Sequence, residues 1–270
     1  MQRHVDFYAI PRLYDILHAE GTAHDVRVLR RLRRRFVPGR IVGETWLEPA
    51  CGTARYLREA ARFGLRGVGF DTHPSMLAYA RRVRRLPPRP GVARQGRVTL
   101  FRARMEDFDR AHAVPPIHLA FNLINTIRHL ATDRAMLDHL AAVARVLAPG
   151  GVYIVGLGLA AYGHESITED VWSGRRGPVR VSQVVQYIPA SGSRGEGARA
   201  ERVISHLTVR TGSRDRHLDS TYALRSYNLA QWTAIIDRSP LCLLGTSDAD
   251  GRPVTPRDPG YFLWVLGARG

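Results

Sequence analysis

Two acids and a glycine are spaced for chemistry early in the chain. Glu48-Pro-Ala-Cys-Gly-Thr-Ala-Arg55 places a carboxylate just before a turn of small residues, and Asp71 follows Gly52 by 19 positions. Small side chains at such a turn let a ligand approach backbone N–H groups, and a helix starting there adds the positive end of its dipole. An acid about 20 residues beyond the turn is at the interval from which it reaches a ribose. The glycines do not fit G-x-G-x-x-G and Glu48 precedes the turn, which argues against a nicotinamide dinucleotide.

A second set of side chains suits proton handling or substrate contact. Asn122, Asn125 and His129 lie in Asn122-Leu-Ile-Asn-Thr-Ile-Arg-His-Leu130, Tyr14 lies near the N-terminus, and His164 and Glu165 close Tyr162-Gly-His-Glu165. Histidine within reach of a reacting group is the usual general base. Each also has a structural role open to it: His129 bonded to backbone at a helix start, Tyr14 packing the N-terminal segment, Asn122 holding a loop, His164 and Glu165 in a surface loop. No set has the ligand spacing of a metal site, so no metal is expected. Cys51 and Cys242 are the only cysteines, which excludes a disulfide scaffold and points to a reducing cytoplasm.

The elements that would position these residues alternate. A helix over 22–36 has Val26, Leu29, Leu32 and Phe36 at helical spacing, with Thr22 as cap and Pro38-Gly39 as stop. Strands are expected at 41–47, 65–70, 98–102, 118–124 and 152–157, and helices at 54–63, 74–85 and 133–147. Residues 86–91 read as a Pro-rich break, and Pro149-Gly150-Gly151 as a turn. Such repeated units imply an α/β fold with a parallel sheet and helices on both faces. Residues 166–225 differ: runs at 179–188, 202–210 and 217–225 alternate, separated by turn-rich pieces at 173–178, 190–197 and 211–215, and read as an antiparallel β insertion. A helix over 229–237 capped by Asn228 and a strand pair at 241–246 and 261–266 complete the chain.

Composition bounds the partners. The 270 residues suffice for one domain with an insertion, 44% are hydrophobic, no apolar run has membrane-helix length, and Met1 to Ile10 has no signal-peptide core. The formal charge is +16 from 40 Lys+Arg against 24 Asp+Glu, yet the sequence contains no lysine. Replacement of every lysine by arginine indicates codon bias rather than a nucleic-acid partner. The runs Arg30–Arg35 and Arg81–Arg85 fall on expected helices as solvated faces.

Segments 47–56, 67–80, 102–108, 120–130 and 147–155 together resemble the class I S-adenosylmethionine-dependent methyltransferases, and most closely their small-molecule N- and O-methyltransferases. The resemblance spans roughly 40–160. It implies a Rossmann-like, seven-stranded, mostly parallel sheet with a small antiparallel β insertion after strand 5. Residues 1–165 and 226–270 would form the cofactor domain, and 166–225 a lid or a homodimer contact. It implies S-adenosyl-L-methionine as cofactor. Glu48 would lie near the methionine amino group, with Ala50, Cys51 and Gly52 in the binding turn. Asp71 would hold the ribose hydroxyls beside Thr72, Met76 would cover adenine, and Asn122 would lie near the cofactor. Ala50 and Ala54 stand where the family has glycine, where a methyl would crowd the cofactor or force φ below zero. Arg104 stands where the family has an acid toward the adenine amine, leaving Met105, Glu106 or Asp107 for that contact. His129 and Tyr14 would be the catalytic residues, Tyr8 and Tyr14 an aromatic gate, and Arg175, Arg176, Arg180 and Arg225 contacts for an anionic acceptor.

Methyl transfer from a sulfonium is an in-line displacement that needs alignment and exclusion of water. The acceptor expected is an amine or hydroxyl of a small metabolite. RNA or protein methylation is an alternative, although no Asn/Asp-Pro-Pro-Tyr/Phe motif follows the fourth strand. A non-catalytic cofactor-binding partner protein is the other, motivated by Ala50, Ala54 and Arg104.

Overall fold

The structure is a computed structural model that describes residues 2–39, 41–83, 87–195 and 197–270. It begins with β1 (Gln2–His4), a 3-10 turn at Phe7–Ala9 and α1 (Pro11–Leu17), started by Pro11, which needs no N–H partner there. Helix α2 (Thr22–Phe36) buries Val26, Leu29 and Leu32. Its cap is not Thr22 but Gly21, at φ 76; Thr22 is the first helical residue.

Strand and helix then alternate through β2 (Thr45–Pro49), α3 (Arg55–Ala61), β3 (Arg66–Asp71), α4 (Pro74–Arg82), β4 (Val98–Arg102), α5 (Phe108–Ala111), β5 (Ile117–Asn122), α6 (Asp133–Val146) and β6 (Leu147–Leu159). Strand β2 begins at Thr45 rather than Ile41, and α3 closes at Ala61. Of the helix expected to reach Arg85, Arg84 and Arg85 lie outside the described residues, as does Leu86 of the Pro-rich break. The single-turn α5 is too short to show periodicity in sequence. Strand β6 takes in Pro149-Gly150-Gly151, and its register with β5 shifts beside them, between Ile117 and Leu119.

The remainder is β7 (Thr168–Arg176), β8 (Val179–Ile188), β9 (Ala200–Thr211), β10 (Arg214–Arg225), α7 (Leu229–Arg238), β11 (Leu241–Ser247) and β12 (Gly260–Ala268). Asn228 and Gln231 cap α7 reciprocally.

The main sheet has the order β11-β12-β6-β5-β2-β3-β4 and is parallel except for β12. Its side chains alternate between two apolar layers. Leu47, Phe70, Tyr153 and Val155 pack with Leu140 and Trp232 on one face. Trp46, Phe121 and Ile154 pack with Leu29 and Leu57 on the other. Order reverses between β5 and β2, where parallel sheets open a crevice at their carboxyl ends. No helix among the described residues is long and apolar enough to cross a membrane.

The second sheet has the order β1-β10-β9-β8-β7. It corrects the expectation of three strands. Residues 173–176, read as turn, belong to β7, whose nearly complete exposure removes the apolar alternation that marks a strand. Strand β1 adds to the opposite edge, parallel to β10. Helix α1 packs Leu13, Ile16 and Leu17 against Val181, Leu207 and Leu218 of this sheet. The N-terminal segment therefore stands between the second sheet and the β2–α3 turn.

Candidate active site

The turn from β2 to α3 is built on left-handed backbone. Ala50, Gly52 and Ala54 have φ of 49, 52 and 55. Of the two outcomes expected for these alanines, a φ below zero does not occur: both occupy the glycine conformation, at a cost of about 1–2 kcal/mol each. Asp71, at the end of β3, closes the turn: its Oδ2 accepts from Gly52 N at 2.8 Å and its Oδ1 from His73 N at 2.7 Å. Burial raises the Asp71 pKa, and these two hydrogen bonds oppose the rise.

Glu48 is buried beneath the turn, and its Oε2 has no hydrogen-bond partner. Burial pushes its pKa up to about 8, against the pull of Arg55. An orphaned buried carboxylate costs stability until a cation or donor reaches it. Glu48 borders a small cavity with Tyr14, Ala50, Cys51, Asn122 and Thr126.

Beyond the turn lies a cleft of about 430 Å³, lined by Ala50, Gly52, Asp71, Thr72, Met105 and Glu106, among others. Arg104 also borders it and pairs with Glu106 at 2.6 Å. Met76 does not line the cleft. It is buried behind Gly52, its Sδ 4.0 Å from where a Gly52 Cβ would stand. Asp107 is the N-cap residue of α5 and does not line the cleft.

A second cavity of about 830 Å³ opens between the two sheets. The second sheet supplies Trp172, Gln183, Tyr187, Glu201 and Tyr222, and the other wall carries His18, Arg55, Tyr56 and Arg128. Arg128 is held by the Arg225 carbonyl at 2.8 Å and lies 3.3 Å from Glu201. Sequence reasoning missed these second-sheet residues because the pairing that faces them inward spans distant segments.

Cleft and cavity share Tyr8, Tyr14, Thr126 and His129. The loop after β5 sets two of them. Ile124 and Asn125 have φ of 48 and 64, an outlying conformation for a β-branched residue. The Tyr261 hydroxyl accepts from Ile124 N at 3.0 Å, and Asn125 Oδ1 from Gly158 N at 2.6 Å. The 3-10 turn Thr126–His129 follows and aims His129 between the spaces. His129 Nε2 lies 2.8 Å from the Tyr8 hydroxyl. Burial, then Arg128, lowers its pKa to about 4, so it is neutral at pH 7.

Tyr14 is placed by its neighbour. Asp15 is buried and accepts from Thr53 Oγ1 at 2.8 Å, Arg58 Nη2 at 2.8 Å and Tyr79 OH at 3.0 Å, and pairs with Arg176 at 2.9 Å. It ties α1 to the turn, to α4 and to β7. A lone acid between Leu13 and Ile16 was the sequence signal for this role.

The remaining candidates fall elsewhere. Asn122 donates to the Pro49 carbonyl at 2.7 Å. His164 is exposed and, like Glu165, lines neither space. The four arginines expected to meet an anionic acceptor also line neither. Arg225 pairs with Asp133 at 3.0 Å, Arg176 serves Asp15, Arg175 donates to the Gly177 carbonyl, and Arg180 is exposed.

Residues 47–151 match the family described as methyltransferase domain. Solved structures are similar over nearly the whole chain. DesVI of Streptomyces venezuelae has a TM-score of 0.72 at 23% identity, covering 98% of this chain and 100% of that one. The sugar N-methyltransferase KedS8 from Streptoalloteichus sp. has 0.66 at 20%, covering 94% and 91%. CalS10 from Micromonospora echinaspora, an amino pentose methyltransferase solved with bound S-adenosylmethionine, has 0.66 at 20%, covering 99% and 99%. No curated protein matches the sequence.

Proposed function

From a chain that carries a methyltransferase domain on the class I methyltransferase fold, we propose an enzyme that moves a methyl group from S-adenosylmethionine to an amine or hydroxyl of a small metabolite, an amino sugar foremost. The observation that carries this reading is the meeting of the 430 Å³ cleft and the 830 Å³ cavity at Tyr8, Tyr14, Thr126 and His129. The larger space has the volume of a small-molecule site. Its second wall belongs to the sheet that the sugar methyltransferase folds also cover.

The donor is S-adenosylmethionine. The orphaned Glu48 carboxylate suits its ammonium group, Asp71 its ribose hydroxyls, and the Met105 and Glu106 loop its adenine; Ala50, Cys51, Gly52, Thr72 and Asn122 frame these contacts. Met76 acts from behind the turn, supporting Gly52. When bound, the donor supplies an electrophilic methyl group whose in-line displacement by a nitrogen or oxygen leaves a thioether.

The protein's own work is alignment and dehydration. Tyr14 and Thr126 border the cleft, the cavity and the small space beside Glu48, so they flank the path between donor and acceptor. His129, neutral and hydrogen-bonded to Tyr8, presents an imidazole to the acceptor. With its pKa near 4 it is a weak base, suited to orienting an N–H or O–H and to passing its proton toward water. Segment 166–225 serves as the lid over the acceptor. Its outer face, where Val184 is exposed, is the contact of a homodimer. The free thiols of Cys51 and Cys242 suit the cytoplasm.

Calorimetry with S-adenosylmethionine and S-adenosylhomocysteine tests the donor. Mass detection of methylated product over a panel of amino sugars, simple amines and hydroxyl acceptors tests the acceptor. Micromolar donor binding with turnover on amino sugars is expected. Donor binding with no turnover on any small acceptor overturns the acceptor class, and no donor binding overturns the reading.

A further inference from the structure

A continuous polar chain crosses the apolar layer beneath the proposed donor cleft. His139 Nδ1, on α6, lies 2.9 Å from the Met105 carbonyl, and its Nε2 lies 2.8 Å from the Tyr153 hydroxyl on β6. Tyr153 is 2.6 Å from Asn122 Oδ1 at the end of β5, and Asn122 Nδ2 donates to the Pro49 carbonyl at 2.7 Å. His139 and Tyr153 have no exposed surface. One end of the chain is Met105, in the loop on one side of the cleft. The other is Pro49, which precedes Ala50 of the turn, also part of the cleft lining.

Such a chain is costly where the surroundings are Leu140, Val143, Val155 and Trp232, because each buried polar group must find a partner. Packing alone would be served by apolar residues of the same shape. A buried polar network of this kind holds its members in one arrangement. The geometry points to His139 and Tyr153 as positioning residues for the methyl donor, fixing the separation between the Met105 loop and the Glu48–Ala54 turn. The inference rests on the donor reading above.

The proton arrangement follows from the ends. A carbonyl only accepts, so Met105 requires the Nδ1–H tautomer of a neutral His139. Burial, which lowers the His139 pKa to about 4, keeps it neutral at working pH. Tyr153 then has one proton between two acceptors, His139 Nε2 and Asn122 Oδ1. Removing its hydroxyl breaks both links at once. Neither His139 nor Tyr153 lines the cleft, so each acts only through the residues it holds.

The test compares the purified wild type with Tyr153→Phe, His139→Leu and His139→Gln, using S-adenosylhomocysteine calorimetry and, with a working acceptor, donor KM and kcat. Circular dichroism and thermal melts check folding. Tyr153→Phe and His139→Leu are expected to weaken donor binding and raise donor KM about tenfold, with kcat within about threefold. His139→Gln, whose amide both donates and accepts, should restore most of the affinity. Folded variants that bind as tightly as wild type, or a glutamine variant no better than leucine, would overturn the inference while leaving the donor reading intact. A wild type that binds no donor overturns both.

Discussion

The Tyr8 hydroxyl meets His129 Nε2 at 2.8 Å, joining the N-terminal 3-10 turn to the loop after β5 across the wall between the two spaces. Neither residue could be paired with the other from sequence, since 121 positions separate them. His129→Ala is expected to lower kcat by about 10²-fold, the lower end of acid–base effects, with donor affinity within threefold. Tyr8→Phe should cost less, because His129 stays in place. With its pKa near 4, His129 is neutral above about pH 5, so it contributes no limb to the rate profile between pH 6 and 8. A rate rising there reports deprotonation of the acceptor amine or of Glu48. Equal losses of kcat and donor affinity in His129→Ala would make it a donor-site or structural residue.

Glu48 should make donor binding release a proton. Its pKa of about 8 keeps it mostly protonated at pH 7. An ammonium beside it favours the charged carboxylate and lowers that pKa. Affinity should therefore rise as pH increases from 6 to 8. Heats measured at pH 7 in buffers of different ionisation enthalpy should differ by close to one proton per bound ligand. Heats independent of buffer would place the ammonium elsewhere. Glu48→Gln should abolish the proton release.

Ala50→Gly and Ala54→Gly should each stabilise the protein. Relief of left-handed strain of about 1–2 kcal/mol exceeds the extra unfolded-state entropy of glycine, about 0.4–1 kcal/mol. The net gain is about 0.5–1 kcal/mol per site, read as a shift in urea midpoint at unchanged slope. A loss at both sites would mean that the methyl groups, buried or half-buried, contribute more by packing than the backbone costs.

Asp71→Ala should weaken S-adenosylmethionine binding, with each lost charge-assisted hydrogen bond to the ribose worth about 1.5–3 kcal/mol. It should also lower the melting temperature, because Gly52 N and His73 N lose their acceptor. Asp71→Asn, which keeps one acceptor oxygen, should fall between. Calorimetry showing unchanged affinity in a folded Asp71→Ala would remove Asp71 from the ribose.

The sequence by itself determined the alternating α/β order, the turn between Glu48 and Arg55, the 19-residue step to Asp71 and the change of pattern after residue 165. These are local: hydrophobic period, a cap such as Asn228, and small residues at a turn are written in neighbouring positions. The edge strand Thr168–Arg176 escaped because an exposed strand buries no alternate side chain. Only tertiary structure decided that α1 packs on the second sheet, that Asp15 anchors it, that Arg225 serves Asp133 rather than a ligand, and that Met76 stands behind Gly52. It also decided the sign of φ at Ala50 and Ala54, where the family resemblance implied either crowding of the cofactor or a φ below zero, and the closed turn, held by Asp71, imposes the glycine conformation. Each of these depends on contacts between segments far apart in the chain, and no spacing within one segment encodes them.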